Sequence, residues 1–304
     1  MNKYDKEILK VLLDDESALL KDLQKVYAAA LADIKRNVKW LMNDEMSQSK
    51  IYQLEYQQQL EKRINAILEI LNLDNAAAIQ TFLSNIYRDS FEGTNYIIQQ
   101  QGIPLIFNLT EDEVLLSILR KTDSMTFAQR LGVNMDEFKI KVKGIISRGI
   151  AAAEPYTNIA KNLSLATKEE YNKSRRIAIT ESGRVQSEAK LNIQQKAKAR
   201  GANIMKEWSC TFDGKTRHSH RELDGKIIEV DEYFEVNGVK TLAPCKFGKA
   251  AEDINCRCAL LTRAKWNLDS PRMALDNETN EIIEAKNYKD WQRKRKEREN
   301  NEQS

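Results

Sequence analysis

Long runs in which apolar residues recur at three- and four-residue steps constrain the fold of this chain more than any other feature. The first run extends from Lys6 to about Leu41, with charged residues between its apolar positions. These positions are Leu9, Leu12, Leu13, Leu19, Leu20, Leu23, Val26, Tyr27, Leu31, Ile34 and Val38. Because such spacing puts apolar side chains on one face of an α-helix, we predict a long amphipathic helix. With 11 glycines and 4 prolines in 304 residues, we expect a mainly α chain.

Two further stretches of this spacing complete a predicted helical N-terminal region, residues 1–105. One contains Tyr52, Tyr56, Leu60, Ile64, Ile67, Leu68 and Leu71, and the other contains Ile79, Phe82, Leu83, Ile86 and Phe91. Polar residues separate them, so we predict two helices. Their apolar faces must be buried against one another or against a partner protein.

Residues 106–166 are predicted to form a helical connector. Thr110 and Glu113 have the spacing of a capping box, in which each side chain satisfies a free backbone amide, so a short helix to about Leu119 should follow. A second helix is predicted from about Met135 to Ile150. It should end before Pro155, because a proline ring cannot continue a helix.

The longest predicted helix opens the C-terminal domain, residues 167–266. Thr167 to Glu170 has a second capping-box spacing, and the run that follows contains no proline before Gly201, a natural C-cap. This helix would have about 30 residues and a length of about 45 Å. We expect it to act as a structural spine.

Beyond Gly201 the pattern changes to that of short β-strands. Asp213-Gly214, Asp224-Gly225 and Asn237-Gly238 are tight-turn dipeptides, and short apolar runs such as residues 227–230 and 233–236 lie beside them. We predict a short antiparallel β meander that ends near Trp266. The fold class is therefore mainly α with a small α+β C-terminal module, followed by a charged tail over residues 267–304.

Charge gives no overall preference for nucleic acid or membrane. The 48 basic and 45 acidic residues leave a net charge of +3, so DNA affinity would need a local patch. The run Arg293-Lys294-Arg295-Lys296 is the candidate DNA-binding patch, although Glu297 and Glu299 also fit a solvated helix end. No signal peptide or membrane span is expected from the apolar runs, which predicts a chain made in a reducing cytosol.

All four cysteines and both histidines fall in one window: Cys210, His218, His220, Cys245, Cys256 and Cys258. Zinc is the first candidate cause, because thiolates and neutral imidazole are its preferred ligands and a small module benefits from a metal staple. Cys256 and Cys258 flank a single residue, whereas structural zinc sites more often use two to four. Buried structural thiols, or oxidised thiols, are the alternative interpretations.

Glu181, Arg184 and Glu188 lie near one stripe of the predicted long helix. Two glutamates can form an acid and base pair, but a carboxylate and a guanidinium three residues apart pair readily as structure. We favour the ion pair. The sequence has no glycine-rich phosphate loop, no nucleophile elbow and no paired metal-binding histidines on a helix.

Several separated motifs of residues 172–261 together resemble the phage Mu protein F-like domain. They are Ile179-Thr180-Glu181-Ser182-x-Arg184, Ala189, Trp208, Lys215-Thr216-Arg217-x-x-His220-x-x-Leu223-Asp224-Gly225, Pro244, and Ile254-Asn255-Cys256-Arg257-Cys258. The resemblance implies a structural role for Thr180, Glu181, Arg184, Trp208, Asp224 and Gly225. Members often carry cysteine in place of His220 and histidine in place of Asp253, and a zinc site tolerates swaps between ligand types. The loss of histidine at Asp253 counts the other way, because it leaves the site with an oxygen or with Cys245 in that place. The resemblance thus implies His220, Cys245, Cys256 and Cys258 as the candidate zinc ligands.

The resemblance also implies a function as a minor head protein of a tailed phage. Such a protein associates with the portal protein during procapsid assembly in the host cytoplasm, stays in the virion, and contacts DNA or accompanies it at ejection. Scaffold and major capsid proteins are further expected partners, and no enzymatic activity is expected. The alternative is a zinc-dependent nuclease or effector delivered with the genome, with His218 or His220 as general base beside a metal held by Cys256 and Cys258. About forty mostly charged residues follow the module, which we expect to be too few for a catalytic domain.

Overall fold

A computed structural model describes residues 1–43, 54–211, 215–267, 273–275, 282–284, 293 and 297. The chain divides into two compact units. The sheet unit comprises Met1–Asp15, Leu83–Asp123 and Ile179–Ser304, and the helical unit comprises Glu16–Phe82 and Ser124–Ala178.

Five helices account for most of the described chain, which confirms the mainly α fold. They are α1 (Lys3–Asn43), α2 (Leu54–Gln100), α3 (Glu111–Ile118), α4 (Phe127–Ala151) and α5 (Tyr156–Ala199). Helix α1 confirms the first predicted helix. No helix within the described ranges is both long enough and apolar enough to cross a bilayer.

The prediction of two separate helices was wrong, because α2 is continuous from Leu54 to beyond Phe91, and Tyr52 lies outside the described residues. The polar residues between them, Asn72, Asp74 and Asn75, lead into Ala76-Ala77-Ala78, and alanine is the strongest helix former. No glycine or proline lies between Leu54 and Glu92, so nothing in the backbone stops the helix.

Capping boxes define the starts of two helices. Thr110 and Glu113 form the predicted one at α3, with both reciprocal bonds in place. Helix α4 begins earlier than predicted, at Phe127, because Thr126 and Gln129 form a capping box that the sequence analysis did not use. It ends at Ala151, before Pro155 as expected.

The predicted start of the long helix at Thr167 was also wrong. Helix α5 has 44 residues and begins at Tyr156, directly after Pro155, whose carbonyl accepts bonds from the amides of Asn158 and Ile159. The Thr167 hydroxyl instead donates to the carbonyl of Leu163 one turn earlier, 2.8 Å away. The capping-box spacing therefore occurs here inside a helix, and the proline marks the real start.

The helical unit is held together by the apolar faces that the sequence indicated. Its core contains Tyr27, Ile34, Val38, Leu60, Ile64, Leu68, Leu71, Met135, Phe138, Val142, Ile146, Ile159 and Leu163. Within this unit the Tyr27 hydroxyl lies 2.7 Å from Ser174 Oγ, and Asn75 donates to Ser174 Oγ at 3.0 Å. Helices α1, α2 and α5 therefore share both an apolar core and a buried polar network.

The sheet unit contains the predicted antiparallel strands in an order that differs from a simple meander. Strands β1 (Ile204–Ser209), β2 (Ile227–Glu229) and β5 (Ala259–Ala264) form a sheet in the order β2-β1-β5. Strands β3 (Phe234–Val236) and β4 (Val239–Thr241) form a hairpin, as do β6 (Met273–Leu275) and β7 (Ile282–Glu284).

A predicted turn and an ion pair connect parts of the sheet unit. Asn237 and Gly238, both with positive φ, connect β3 to β4 as predicted, whereas Asp213-Gly214 lies outside the described residues. Near the other end of the unit, Arg263 on β5 binds Asp5 on α1 at 3.0 Å. The unit thus joins residues that are far apart in sequence.

We expect Glu170 to make the helical unit less stable as pH rises. This carboxyl group on α5 is 3% exposed, and burial raises its pKa to about 7, despite Lys173 at 3.9 Å. Glu137 and Glu169 oppose its ionisation and Lys141 favours it. Because the folded pKa is above the unfolded value, the neutral form stabilises the fold at low pH, and this contribution is lost as pH rises through 7.

A Glu170→Gln variant should therefore gain stability over the wild-type protein between about pH 5 and pH 8, measured by urea unfolding at several pH values. The control is Glu169→Gln, at a neighbouring position where the pKa is lowered by a bond to Lys141. If the difference in unfolding free energy between Glu170→Gln and the wild-type protein did not change with pH, the raised pKa of Glu170 would be contradicted.

Candidate metal centre

The four cysteines and His220 lie close together in the sheet unit and are buried. Cys210 follows β1, His220 lies in α6 (His218–Leu223), and Cys245 follows β4. Cys256 and Cys258 lie between α7 (Ala250–Asp253) and β5. Every one of these side chains is buried. His218 is separate, because its exposed side chain pairs with Glu222 at 3.1 Å.

Three donor atoms in this cluster face one another. His220 Nδ1 lies 3.6 Å from Cys256 Sγ and 3.4 Å from Cys258 Sγ, and the three atoms are mutually within 4.8 Å. In a tetrahedral zinc site the bond lengths give separations of about 3.6 Å between nitrogen and sulfur. His220, Cys256 and Cys258 therefore fit three corners of a zinc site.

Cys210 and Cys245 each contact this trio through their sulfur atoms. Cys210 Sγ is 3.4 Å from Cys258 Sγ, and Cys245 Sγ is 3.6 Å from the carbonyl oxygen of Cys256. The sequence analysis selected Cys245 as a ligand and left Cys210 out. Two thiols, those of Cys210 and Cys245, are therefore candidates for the fourth coordination position.

The second nitrogen of His220 faces a carboxylate. Nε2 lies 3.0 Å from Glu252 Oε2, although the ring N–H is not aligned for a hydrogen bond. The same oxygen accepts a bond from the Ser219 hydroxyl. Metal-bound histidines commonly place a carboxylate at their free nitrogen. Glu252 was missed by the sequence analysis, since no local pattern connects it to His220.

Aromatic rings enclose the imidazole. Trp208, which is fully buried, meets His220 edge-on at 5.6 Å, and Phe247 stacks on it at 5.7 Å. These contacts fix the orientation of the ring with Nδ1 towards the thiols. Trp208 was predicted as a structural residue, and here it packs directly on a candidate ligand.

The thiols of the cluster differ in acidity. The pKa of Cys256 is well below its ordinary value, because hydrogen bonds with Cys245 and Cys258 and the nearby His220 stabilise its thiolate. The pKa of Cys245 is raised, chiefly by its hydrogen bond with Cys256, and the pKa of Cys258 is raised chiefly by burial. Cys256 is therefore the thiol of this cluster whose surroundings most favour the thiolate form.

Two carboxylates hold the backbone around the centre. Asp224 accepts a hydrogen bond from the Cys210 amide at 2.7 Å, next to Gly225, which has a φ of 75°. Asp253 accepts from the amides of Phe247, Gly248 and Lys249. The oxygens of Asp253 therefore order the loop after Cys245.

The predicted Glu181–Arg184 pair lies on α5 in the same unit. Arg184 Nε donates to Glu181 at 2.8 Å, and its Nη1 donates to Glu188 at 3.1 Å. Its Nη2 donates to the carbonyl of Ser117 on α3 at 2.9 Å. All three nitrogens of the guanidinium are used in contacts within the fold. Nearby, the Thr180 hydroxyl accepts from the Asn255 amide at 3.2 Å.

The candidate DNA-binding residues can be placed only in part. Arg293 forms an i,i+4 ion pair with Glu297, with Nη1 at 2.7 Å from Oε1. Lys294, Arg295 and Lys296 lie outside the described residues.

Gly183 allows Cys245 to approach the middle of α5. A Cβ atom at this position would lie 2.7 Å from Cys245 Sγ and 3.5 Å from the Cys256 carbonyl oxygen. Cys245 itself has a φ of 60°, which is unfavourable for a residue with a side chain. The contact between Gly183 and Cys245 thus combines a glycine inside a helix with a cysteine in a strained backbone conformation.

Gly183→Ala should destabilise the protein by about 1–3 kcal/mol, because the added methyl group overlaps the Cys245 sulfur. The control is Gly132→Ala in α4, where a Cβ would meet nothing within 4 Å and should stabilise by up to about 1 kcal/mol. Both changes are measured by chemical denaturation.

Removing the Cys245 sulfur tests whether its contact with position 183 causes the expected destabilisation. In a Cys245→Ala background the Gly183→Ala substitution should cost little, so the two changes should be strongly non-additive. Equal effects of Gly183→Ala in both backgrounds would rule out the close contact as the cause.

The comparisons with known proteins agree with the motifs of this unit. The family described as Phage Mu protein F like protein matches residues 140–261. The chain is 28% identical over 288 residues to Minor head protein GP7 of Bacillus phage SPP1, covering 91% of this chain and 92% of that protein. No solved structure matches the chain.

A second relative is a protein of Enterococcus faecalis, NAD(+)--arginine ADP-ribosyltransferase EFV. It is 31% identical over 295 residues, which cover 96% of this chain and 60% of that protein. The chain thus spans less than two thirds of this relative's length. On the motifs and this family match, residues 140–261 form a Phage Mu protein F like domain, and the chain over most of its length is similar to Minor head protein GP7.

Proposed function

We propose that the chain works as a non-catalytic minor head protein that binds the portal protein during procapsid assembly in the host cytoplasm and stays in the virion. The observation that carries this proposal is the similarity to Minor head protein GP7 over nearly the whole of that protein. Scaffold and major capsid proteins are further partners in this proposal.

The surface proposed for the portal contact is the exposed face of α3. The apolar faces of the long helices are largely used within the chain, where Leu23, Leu68 and Val142 are fully buried. By contrast, Leu115, Leu116 and Leu119 are 46%, 70% and 61% exposed. Their i, i+1 and i+4 spacing puts them on one side of the helix. An exposed apolar helix face is a common means of binding a partner protein.

A Leu116→Glu/Leu119→Glu variant should lose most of its association with portal protein, because two charges would have to be buried at the contact. The measurement is the amount of the chain that co-purifies with portal protein from procapsids. The control is Ile140→Glu on α4, a comparably exposed apolar position in the helical unit, at 73%.

Far-UV circular dichroism checks that each variant is folded. Wild-type protein that never co-purifies with portal protein or heads would overturn the portal assignment. Unchanged co-purification of the double variant would overturn only the assigned surface.

We also propose that His220, Cys256 and Cys258 hold a structural Zn²⁺, with the remaining place filled by Cys245 or Cys210. The bound ion would tie α6 to the start of β5. Catalytic zinc sites keep an open position for water or substrate, whereas structural sites are closed by protein ligands. The burial of all these donors supports a closed site, and hence a protein without nuclease activity.

Purified protein should contain about one zinc per chain by elemental analysis, and removal of the ion by a chelator should lower its melting temperature. DNA incubated with the zinc-loaded protein and Mg²⁺ should remain uncut. Absence of zinc would overturn the metal site. Cutting that is lost in His220→Ala would favour a nuclease.

Non-specific DNA contact through Arg293, Lys294, Arg295 and Lys296 is a subsidiary part of the proposal. The ion pair of Arg293 with Glu297 reduces the charge available to phosphates, which supports weak and salt-dependent binding. A binding curve that is unchanged between low and high salt would contradict it. The ADP-ribosyltransferase activity in the name of the Enterococcus faecalis relative is not part of this proposal.

A further inference from the structure

We propose that Cys210 supplies the fourth ligand of the metal centre and that Cys245 stays outside it as a supporting thiol. This inference rests on the proposed zinc site and names the residue that completes it. The coordination would then consist of three sulfurs and one nitrogen. On binding, the Cys210 thiol would lose its proton to solvent and form the fourth bond.

The strand register puts Cys210 opposite Cys258. Strands β1 and β5 pair antiparallel from Ile204↔Ala264 to Ser209↔Ala259. Cys210 and Cys258 are the next positions on each strand, so their side chains leave the ladder on the same face. Residues directly opposite in such a pair have Cβ atoms about 4.5–5.5 Å apart. Their sulfurs are 3.4 Å apart, close to the about 3.8 Å expected between two sulfurs bound to one zinc ion.

Cys210 also contacts a second ligand residue. Its Sγ donates to the backbone carbonyl of His220 at 3.0 Å. Its amide is held by Asp224, so the backbone on this side of the centre is fixed. Cys210 thus touches two of the three residues that face one another. Rotation of its side chain is the movement that binding requires.

Cys245 is placed for a different role. Its sulfur packs against α5 at Gly183, where even a methyl group would not fit. Its contact with the trio is to Cys256, whose backbone carbonyl oxygen accepts a hydrogen bond from the Cys245 thiol at 3.6 Å. A thiol bonded to the backbone of a metal ligand can hold that ligand in place, as outer-shell groups do. Moving it to a metal ligand position would break its packing on α5.

The two cysteines can be distinguished with Co²⁺, which occupies zinc sites and absorbs light according to the thiolates bound to it. Wild-type protein, reduced and freed of metal, is titrated with Co²⁺ and then with Zn²⁺ as a competitor. Cys210→Ser should lose about one third of the thiolate-to-cobalt absorption, because one of three sulfurs is removed. Its zinc affinity should fall by more than the roughly 10- to 100-fold typical of losing an outer-shell partner.

Cys245→Ser is the matched control, as an equally buried cysteine in the same cluster. It should keep the full absorption per bound cobalt and lose affinity by no more than about 100-fold. Cys210→His provides a second test, because histidine can bind metal where serine binds poorly. This variant should recover affinity relative to Cys210→Ser, with a spectrum typical of two sulfurs and two nitrogens.

The possible results distinguish a failure of the Cys210 assignment from a failure of the proposed zinc site. Wild-type protein that binds neither ion removes the metal site itself, and this inference with it. A wild-type site whose absorption is unchanged by Cys210→Ser and reduced by Cys245→Ser would overturn the assignment of Cys210 alone. Circular dichroism of each metal-free and loaded variant shows whether a loss of binding reflects a loss of folding.

Discussion

The pairing of β1 with β5 is the interaction on which the buried cluster of cysteines and His220 depends. Its register aligns the end of one strand with the start of the other, so donors from distant parts of the sequence meet on one face. Gln194 on α5 binds to this pair through β5, donating to Thr262 Oγ1 at 2.8 Å and to the Leu261 carbonyl at 3.3 Å. A change in register by one residue would turn these side chains to the opposite face.

Helical structure could be predicted from the sequence wherever apolar spacing was regular. The spacing of α1 and the cap of α3 are local features, and both are found in the structure. The errors arose at boundaries. Asn72 to Asn75 resembled a break although alanines follow, and Thr167 had a helix-start spacing although Pro155 marked the start. Polarity and spacing indicate which face of a helix is buried, whereas prolines and side-chain caps mark where a helix begins.

The residues of the candidate site could be predicted from the sequence, whereas their contacts in space could be predicted only in part. The concentration of cysteine and histidine in one window indicated a cluster, and His220, Cys256 and Cys258 do face one another. The positions of Glu252 and Gly183 could not be foreseen. Each acts on a residue far away in sequence, through a turn of α7 or a close approach to α5, and such contacts follow from tertiary packing.

The ion pair between Asp5 and Arg263 has a consequence for the order of folding. The two residues are 258 positions apart, yet they lie in the same compact unit. During synthesis the beginning of α1 must remain without this partner until β5 has left the ribosome. Contacts so distant in sequence slow folding, because the entropy of closing a long loop is lost before the contacts form. The sheet unit should therefore mature late and expose its unpaired strand edges to chaperones in the meantime.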